Sequence, residues 1–177
     1  MKNSSVRKLV FCALFAALIA VFAQLQIPLP GLVPISLATF GVMMAGLLLG
    51  WQYGALAVLV YVLLGAVGAP VFAGLKGGVS ALMGPTGGYI VGYLPYALLA
   101  GLPAKKLQGS FWGRCALLAL GTLACYGLGT AWFIHVTGKT LGASLSLCVL
   151  PFLPGDAGKI LLSSFLAPRL RKAMEQA

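Results

Sequence analysis

Acidic side chains and histidine are almost missing from this sequence. Two of its 177 residues are Asp or Glu, and one is His. Catalysis by paired carboxylates, by a Ser-His-Asp set or by a bound metal needs several such side chains close together. The four cysteines stand singly, without Cys-x-x-Cys spacing, which is typical of packing residues rather than of metal ligands. The sequence therefore predicts no enzyme, no metal and no cofactor.

A phosphate-binding loop is also missing. Gly-Lys pairs occur at positions 138–139 and 158–159, but Phe133 and Leu153 stand where the loop motif requires its first glycine. That glycine is needed because the loop wraps its backbone N–H groups around phosphates. We therefore do not expect the chain to bind ATP through this motif.

Charged residues of all kinds are scarce, since they make up 8% of the chain, whereas 60% of it is hydrophobic. Apolar runs recur at about the 17–25 residues that a helix needs to cross a bilayer, although the third run is short. We predict an all-α integral membrane protein with a single transmembrane substrate-binding domain over residues 1–177. Its six predicted transmembrane helices cover residues 9–25, 34–50, 53–67, 87–102, 111–133 and 145–167.

The net charge of +10 is unevenly distributed along the chain. Basic residues cluster before the first predicted helix, between the fourth and fifth, and after the sixth, so all three clusters fall on one side of the membrane. Cytoplasmic segments carry such an excess. We expect both termini in the cytoplasm, a multi-pass location in a bacterial cell membrane, and no nucleic-acid partner. The clusters are Lys2, Arg7 and Lys8; Lys105, Lys106 and Arg114; and Arg169, Arg171 and Lys172.

A long glycine-rich apolar stretch, residues 65–84, joins the third and fourth predicted helices. Such a segment is poorly suited to water. Irregular backbone is tolerated at membrane depth where it lines a cavity, so we predict a partly re-entrant loop. Phe72, Lys76 and Ser80 would then face a ligand.

The fourth predicted helix opens with Gly-Pro-Thr-Gly-Gly-Tyr at residues 84–89. Thr86 can cap the helix or offer its hydroxyl group. Glycines at 84, 88 and 92 leave a groove without side chains. The groove permits either close helix packing or the approach of a flat ligand.

Alanines form two overlapping pairs on the first predicted helix, Ala13 with Ala17 and Ala16 with Ala20. Residues four apart share a helix face, and small side chains let a second helix approach closely in lipid. The pairs predict either packing within the chain or a docking face for another subunit.

The last predicted helix begins with Asp156 and Lys159. Charged side chains inside a membrane are costly unless they are paired, hydrated or in use. A spacing of three places both on one helix face, so they can share one site. The pair predicts where a polar ligand binds, although a pair that only holds helices together is the alternative.

Residues 84–92 (GPTGGYIVG) and 151–159 (PFLPGDAGK) resemble the BioY family, the biotin-binding S-components of energy-coupling-factor (ECF) vitamin transporters. Residues 40–50 and 68–73 are also similar to that family, so the resemblance spans nearly the whole chain. Ala38 is a departure, since a glutamine is expected before the following threonine, and its polar contact is therefore in doubt.

The resemblance implies a six-helix S-component that captures biotin from outside the cell. Asp156 and Lys159 would meet the ureido ring, whose two N–H donors and carbonyl acceptor complement a carboxylate and an ammonium. Apolar or aromatic walls suit the rest of the ligand, and Phe72 and Tyr89 are candidates. Further candidate binding residues are Thr86, Gly88 and Lys76.

The implied partners are a transmembrane coupling subunit and two ABC-type ATPases, with docking through the alanines at 13, 16, 17 and 20. Two alternatives remain. One is a biotin transporter that works alone. The other is an ion-coupled secondary carrier that uses Asp156, although such carriers usually have more acidic residues in the membrane and repeated halves.

Overall fold

The computed structural model describes residues 2–27 and 33–176, which form eight helices and one pair of two-residue strands. The strands β1 and β2 pair antiparallel and frame the connection between the first two helices. The elements are α1 Lys2–Gln24, β1 Gln26–Ile27, β2 Ile35–Ser36, α2 Ala38–Ala66, α3 Val79–Met83, α4 Gly87–Ala100, α5 Lys105–Gly109, α6 Phe111–Thr137, α7 Leu141–Cys148 and α8 Leu153–Gln176.

The long helix α2 is interrupted at Gly50, whose φ of 79° lies in the left-handed region that glycine adopts without strain. A β-carbon on Gly54 would lie 2.8 Å from the Cα of Gly46, although eight residues of straight helix span about 12 Å. The chain therefore reverses at Gly50. Its two halves pack against each other as a helical hairpin, and they correspond to the second and third predicted helices.

Among the described residues, three helical stretches have the length and apolar composition to cross a membrane: Val6–Gln24 of α1, α2 taken from end to end, and α6. Because the chain reverses at Gly50, each half of α2 is shorter than that length. A fourth candidate is the pair α7 and α8, which is bent by 51°, whereas α4 is apolar but shorter. The predicted run 145–167 is divided between α7 and α8 by a turn that includes Pro151, because proline cannot donate a helical hydrogen bond. These helices support a multi-pass membrane protein, and six crossings stay a prediction.

Helices α4 and α6 pack along the glycine groove that the sequence places on α4. A β-carbon on Gly88 would lie 2.3 Å from the Trp132 Cβ, and one on Gly92 would lie 3.1 Å from the Cys125 sulfur. The Trp132 indole also donates a hydrogen bond to the carbonyl of Gly84 at 3.0 Å. Of the two uses predicted for the groove, the structure thus shows helix packing.

The segment between α2 and α4 folds back on the end of α2. The Gly78 N–H donates to the Gly65 carbonyl at 2.7 Å, and Phe72 is buried. The Gln24 side chain at the end of α1 secures the segment: its Nε2 donates to the carbonyls of Val71 and Phe72, and its Oε1 accepts from the Leu75 N–H. This compact loop forms one wall of the cavity that is described below. Its depth in a membrane stays a prediction.

Candidate functional site

Two adjacent cavities lie between the α1–α2 connection, the folded-back loop and α4. The larger has a volume of about 200 Å³ and the smaller about 40 Å³. The smaller cavity extends to α6 and α8 and is lined by both Asp156 and Lys159. The walls common to both cavities are Val33, Pro34, Ser36, Tyr89 and Tyr93.

Asp156 and Lys159 form a buried ion pair in the first turns of α8, with 2.9 Å between Lys159 Nζ and Asp156 Oδ1. The structure thus brings the two charges together, as the spacing predicts. A carboxylate in the first turn of a helix is also favoured by the helix dipole. The smaller cavity therefore has this ion pair in its wall.

All three donors of the Lys159 ammonium are used within the protein. Besides Asp156, Lys159 Nζ donates to the carbonyl of Ser36 at 2.7 Å and to Thr39 Oγ1 at 2.9 Å. Lys159 therefore ties α8 to β2 and to the start of α2.

The second oxygen of Asp156 has its own partner on α6. The Tyr126 hydroxyl donates to Asp156 Oδ2 at 2.5 Å. A carboxylate offers about four acceptor positions on its two oxygens. Because Tyr126 and Lys159 occupy one position on each oxygen, acceptor capacity remains for a donor that enters the small cavity.

Four of the other predicted ligand residues line the larger cavity, namely Phe72, Lys76, Thr86 and Tyr89. Phe72 is buried and meets the Tyr61 ring edge-on, with 5.5 Å between the ring centroids. Tyr89 lines both cavities, and its hydroxyl lies 3.1 Å from Thr130 Oγ1. Thr86, at the start of α4, also belongs to a third, open cavity of about 370 Å³.

Lys76 is exposed and lines both the larger cavity and this third, open one. It therefore stands at the rim of the site. Ser80 lines only the open cavity. Gly88 lines none of the three cavities, because Trp132 covers it in the α4–α6 contact.

Several residues at the site were missed by the sequence reasoning. The tyrosines at positions 61, 93 and 126 stand singly in apolar runs, where nothing in their spacing distinguishes them from packing residues. Gln26 gave a weak signal as an amide beside the first predicted helix. Its Oε1 is buried without a hydrogen-bond partner among the described residues, and its side chain lines the larger cavity.

The two alanine pairs of α1 lie on different faces. Ala13 and Ala17 are exposed, Ala16 is 2% exposed, and Ala20 is half-buried. Leu14 lies beside the exposed pair with 48% of its surface open. The pair that is free to meet another molecule is therefore Ala13 with Ala17.

Comparison with known proteins places these features in a family. The family model described as the BioY family matches residues 1–176. The biotin transporter BioY of Thermotoga maritima is 40% identical over 169 residues, which cover 94% of this chain and 96% of that protein. A probable biotin transporter BioY of Pyrococcus horikoshii is 39% identical and covers 90% of this chain and 93% of its own length.

A solved structure is similar over nearly the whole fold. It is the crystal structure at 2.1 Å of the S-component for biotin from an ECF-type ABC transporter. Its TM-score to this chain is 0.89 at 34% sequence identity, and the match covers 97% of this chain and 94% of the other. The resemblance read from residues 84–92 and 151–159 is thereby confirmed, and the chain belongs to the BioY family.

Proposed function

We propose that this chain is a biotin-binding membrane subunit that captures biotin outside the cell for uptake. The observation that carries the proposal is the Asp156–Lys159 pair, which is buried yet lines a cavity in a chain of the BioY family. Relatives named biotin transporters match over nearly the full length of the chain, which supports the same ligand. The names of these relatives also describe transporters and not enzymes.

The chemistry of biotin suits the two cavities. A ureido N–H donates to a free acceptor position of Asp156 in the small cavity, while the thioether ring and the acyl chain occupy the larger one. Tyr61, Phe72 and Tyr93 supply aromatic walls there. A ligand without the N–H donor would fill the cavity but leave a free acceptor position of the buried carboxylate without a partner, which lowers its affinity relative to biotin.

Lys76 is the candidate partner for the carboxylate of biotin. Its ammonium stands at the rim of the larger cavity, and Lys76 does not line the small cavity that contains Asp156. An exposed ion pair contributes little affinity, on the order of 0–1 kcal/mol. We therefore assign to Lys76 an orienting role rather than a large share of the binding energy.

Uptake requires an energy source, and the chain has no phosphate-binding loop motif. We propose that it works in an ECF module with a transmembrane coupling subunit and two ABC-type ATPases in the cell membrane. The crystal structure that it matches is described as a component of such a transporter. The exposed pair Ala13 and Ala17 is the proposed docking face, because small side chains allow close helix approach.

Calorimetric titration of the purified chain with biotin tests the proposal directly. We expect saturable binding of biotin, weaker binding of desthiobiotin, which keeps the ureido ring but lacks the thioether bridge, and no binding of thiamine. An absence of any response to biotin would overturn the proposed function.

A structural role for the ion pair is the second candidate, and one observation favours it. Every donor of Lys159 is already satisfied by the protein, and the pair links α8 to the start of α2. In that case neutralising Asp156 would reduce the yield of folded protein, and the protein that remains would bind biotin normally.

A further inference from the structure

The carboxylate of Asp156 is held from both sides by the protein. Tyr126 on α6 donates to Oδ2 and Lys159 on α8 donates to Oδ1. Because each oxygen accepts from a different helix, rotation of the carboxylate would break at least one of these bonds. The remaining acceptor positions therefore have a defined direction.

Lys159 is itself fixed, since its other two donors bind the Ser36 carbonyl and Thr39 Oγ1. A ligand in the small cavity thus meets an oriented carboxylate rather than a free ammonium. Tyr126 is 9% exposed and lines this same cavity. Its hydroxyl is the one donor on Asp156 that comes from outside α8 in the described part of the chain.

We propose that Tyr126 is a positioning residue for ligand recognition: its hydroxyl orients Asp156 so that the free acceptor positions face a ureido N–H donor. The inference rests on the proposed function, because it assumes that biotin donates to Asp156. Tyr126 acts through the carboxylate and sharpens discrimination between a ligand with the donor and one without it. A buried polar group rejects a ligand most strongly when it is held in the geometry that the correct ligand satisfies.

The test compares Tyr126→Phe with Tyr96→Phe. Each change removes one buried tyrosine hydroxyl, and Tyr96 is a matched control because its hydroxyl lies 2.8 Å from Thr122 Oγ1 and its side chain lines neither cavity. The ligands are biotin and two lactam analogues in which one or the other ureido N–H is replaced by CH₂. The readout is the ratio of the Kd values for analogue and biotin, measured by calorimetry in lipid nanodiscs.

For the wild-type protein and for Tyr96→Phe, we expect the analogue that lacks the Asp156-facing donor to bind about tenfold or more weakly than biotin. For Tyr126→Phe we expect the ratio to fall to about threefold, together with a roughly three- to tenfold loss of biotin affinity. A purely structural role would weaken all the ligands alike. An unchanged ratio in Tyr126→Phe would therefore overturn the proposal.

A second readout observes the carboxylate itself. Asp156 is the only aspartate in the chain, so aspartate labelled with ¹³C at its carboxyl carbon reports on this one group. The ligand-free ¹³C signal is expected to shift in Tyr126→Phe and to stay in place in Tyr96→Phe. An unmoved signal in Tyr126→Phe would contradict the inference, and so would failure of that variant alone to fold, because the hydroxyl would then be a requirement of the fold.

The experiment distinguishes failure of the positioning role from failure of the proposed function. If the wild-type protein does not bind biotin, the ligand is wrong and the inference loses its basis. If wild type binds biotin and Tyr126→Phe keeps both the affinity and the ratio, the positioning role is wrong while the biotin-binding function stands.

Discussion

Asp156 shows how a membrane protein keeps a carboxylate in a nearly apolar interior. Its charge is compensated by Lys159, and both oxygens accept a hydrogen bond. Removing one member of a buried pair leaves an uncompensated charge, whereas replacing both members by neutral groups is often tolerated. The consequences of changing single residues at this site follow from that asymmetry.

Asp156→Asn tests the ligand contact. The amide keeps an acceptor oxygen for the neighbouring donors but loses the charge that we propose to face the ureido N–H, so biotin affinity should fall about ten- to a hundredfold. Calorimetry gives the affinity, and thermal unfolding of the ligand-free protein gives the stability. A monodisperse variant with normal biotin affinity would show that Asp156 does not contact the ligand.

Lys159→Met tests the ion pair. The single change leaves Asp156 buried without a countercharge and should lower stability by about 3–5 kcal/mol. The double variant Asp156→Asn/Lys159→Met removes both charges and should recover much of that loss. Thermal unfolding in detergent compares the two proteins. Equal instability of both would mean that packing and not charge carries the effect of Lys159.

At the scale of the helix, α1 presents two different alanine faces. Ala17 is exposed and Ala16 is packed inside the protein. This difference separates docking from folding, since a large side chain is tolerated on the open face but overpacks the buried one.

Ala17→Trp should leave biotin binding intact while it reduces co-purification with the proposed ECF partners and uptake in cells. A tryptophan on a small-residue face prevents close helix approach. Ala16→Trp is the matched control, because it should reduce the recovery of folded protein. Full uptake by Ala17→Trp with normal recovery of partners would place the docking face elsewhere, and loss of biotin binding in Ala17→Trp would show that this alanine packs internally.

The folded-back loop depends on one side chain of α1. The Gln24 side chain forms hydrogen bonds with the backbone of Val71, Phe72 and Leu75. Gln24→Met removes these bonds, so the loop that places Phe72 in the cavity wall should become more mobile. We expect faster amide hydrogen exchange at the Leu75 N–H and weaker biotin binding. Gln52→Met, at an exposed position, is the control. Unchanged exchange at Leu75 would show that the loop is held by other contacts.

At the scale of the whole molecule, the predicted orientation places both termini in the cytoplasm and the α6–α7 connection outside. The excess of Lys and Arg on one side supports this arrangement. A fluorescent protein fused after Ala177 should be bright, and alkaline phosphatase inserted after Lys139 should be active. The reverse pattern would invert the topology and place the ligand cavity on the wrong side for uptake.

Biotin should also stabilise the whole fold, because the cavities proposed to bind it are built from α2, α4, α6, α8 and the connecting segments. A ligand that binds only the folded state adds about 2.7 kcal/mol at a concentration of 100 Kd. The unfolding temperature should therefore rise with biotin concentration and stay constant with thiamine. A constant unfolding temperature at saturating biotin would contradict binding at this site.

The sequence by itself determined the features that neighbouring residues carry. Scarce charge and long apolar runs indicate a helical membrane protein, and the spacing of three places Asp156 beside Lys159, because hydropathy and helical periodicity are local properties. The motifs at residues 84–92 and 151–159 were sufficient for the family.

Only the tertiary structure decided how distant segments meet. The hairpin at Gly50 brings the two halves of α2 together, and packing places Tyr126 beside Asp156 across 30 residues and Thr39 beside Lys159 across 120 residues. Which alanine pair is exposed depends on how α1 packs against α2. These contacts arise from the shapes of packed helices, to which sequence spacing gives no guide, so the partners of the ion pair became known only from the fold.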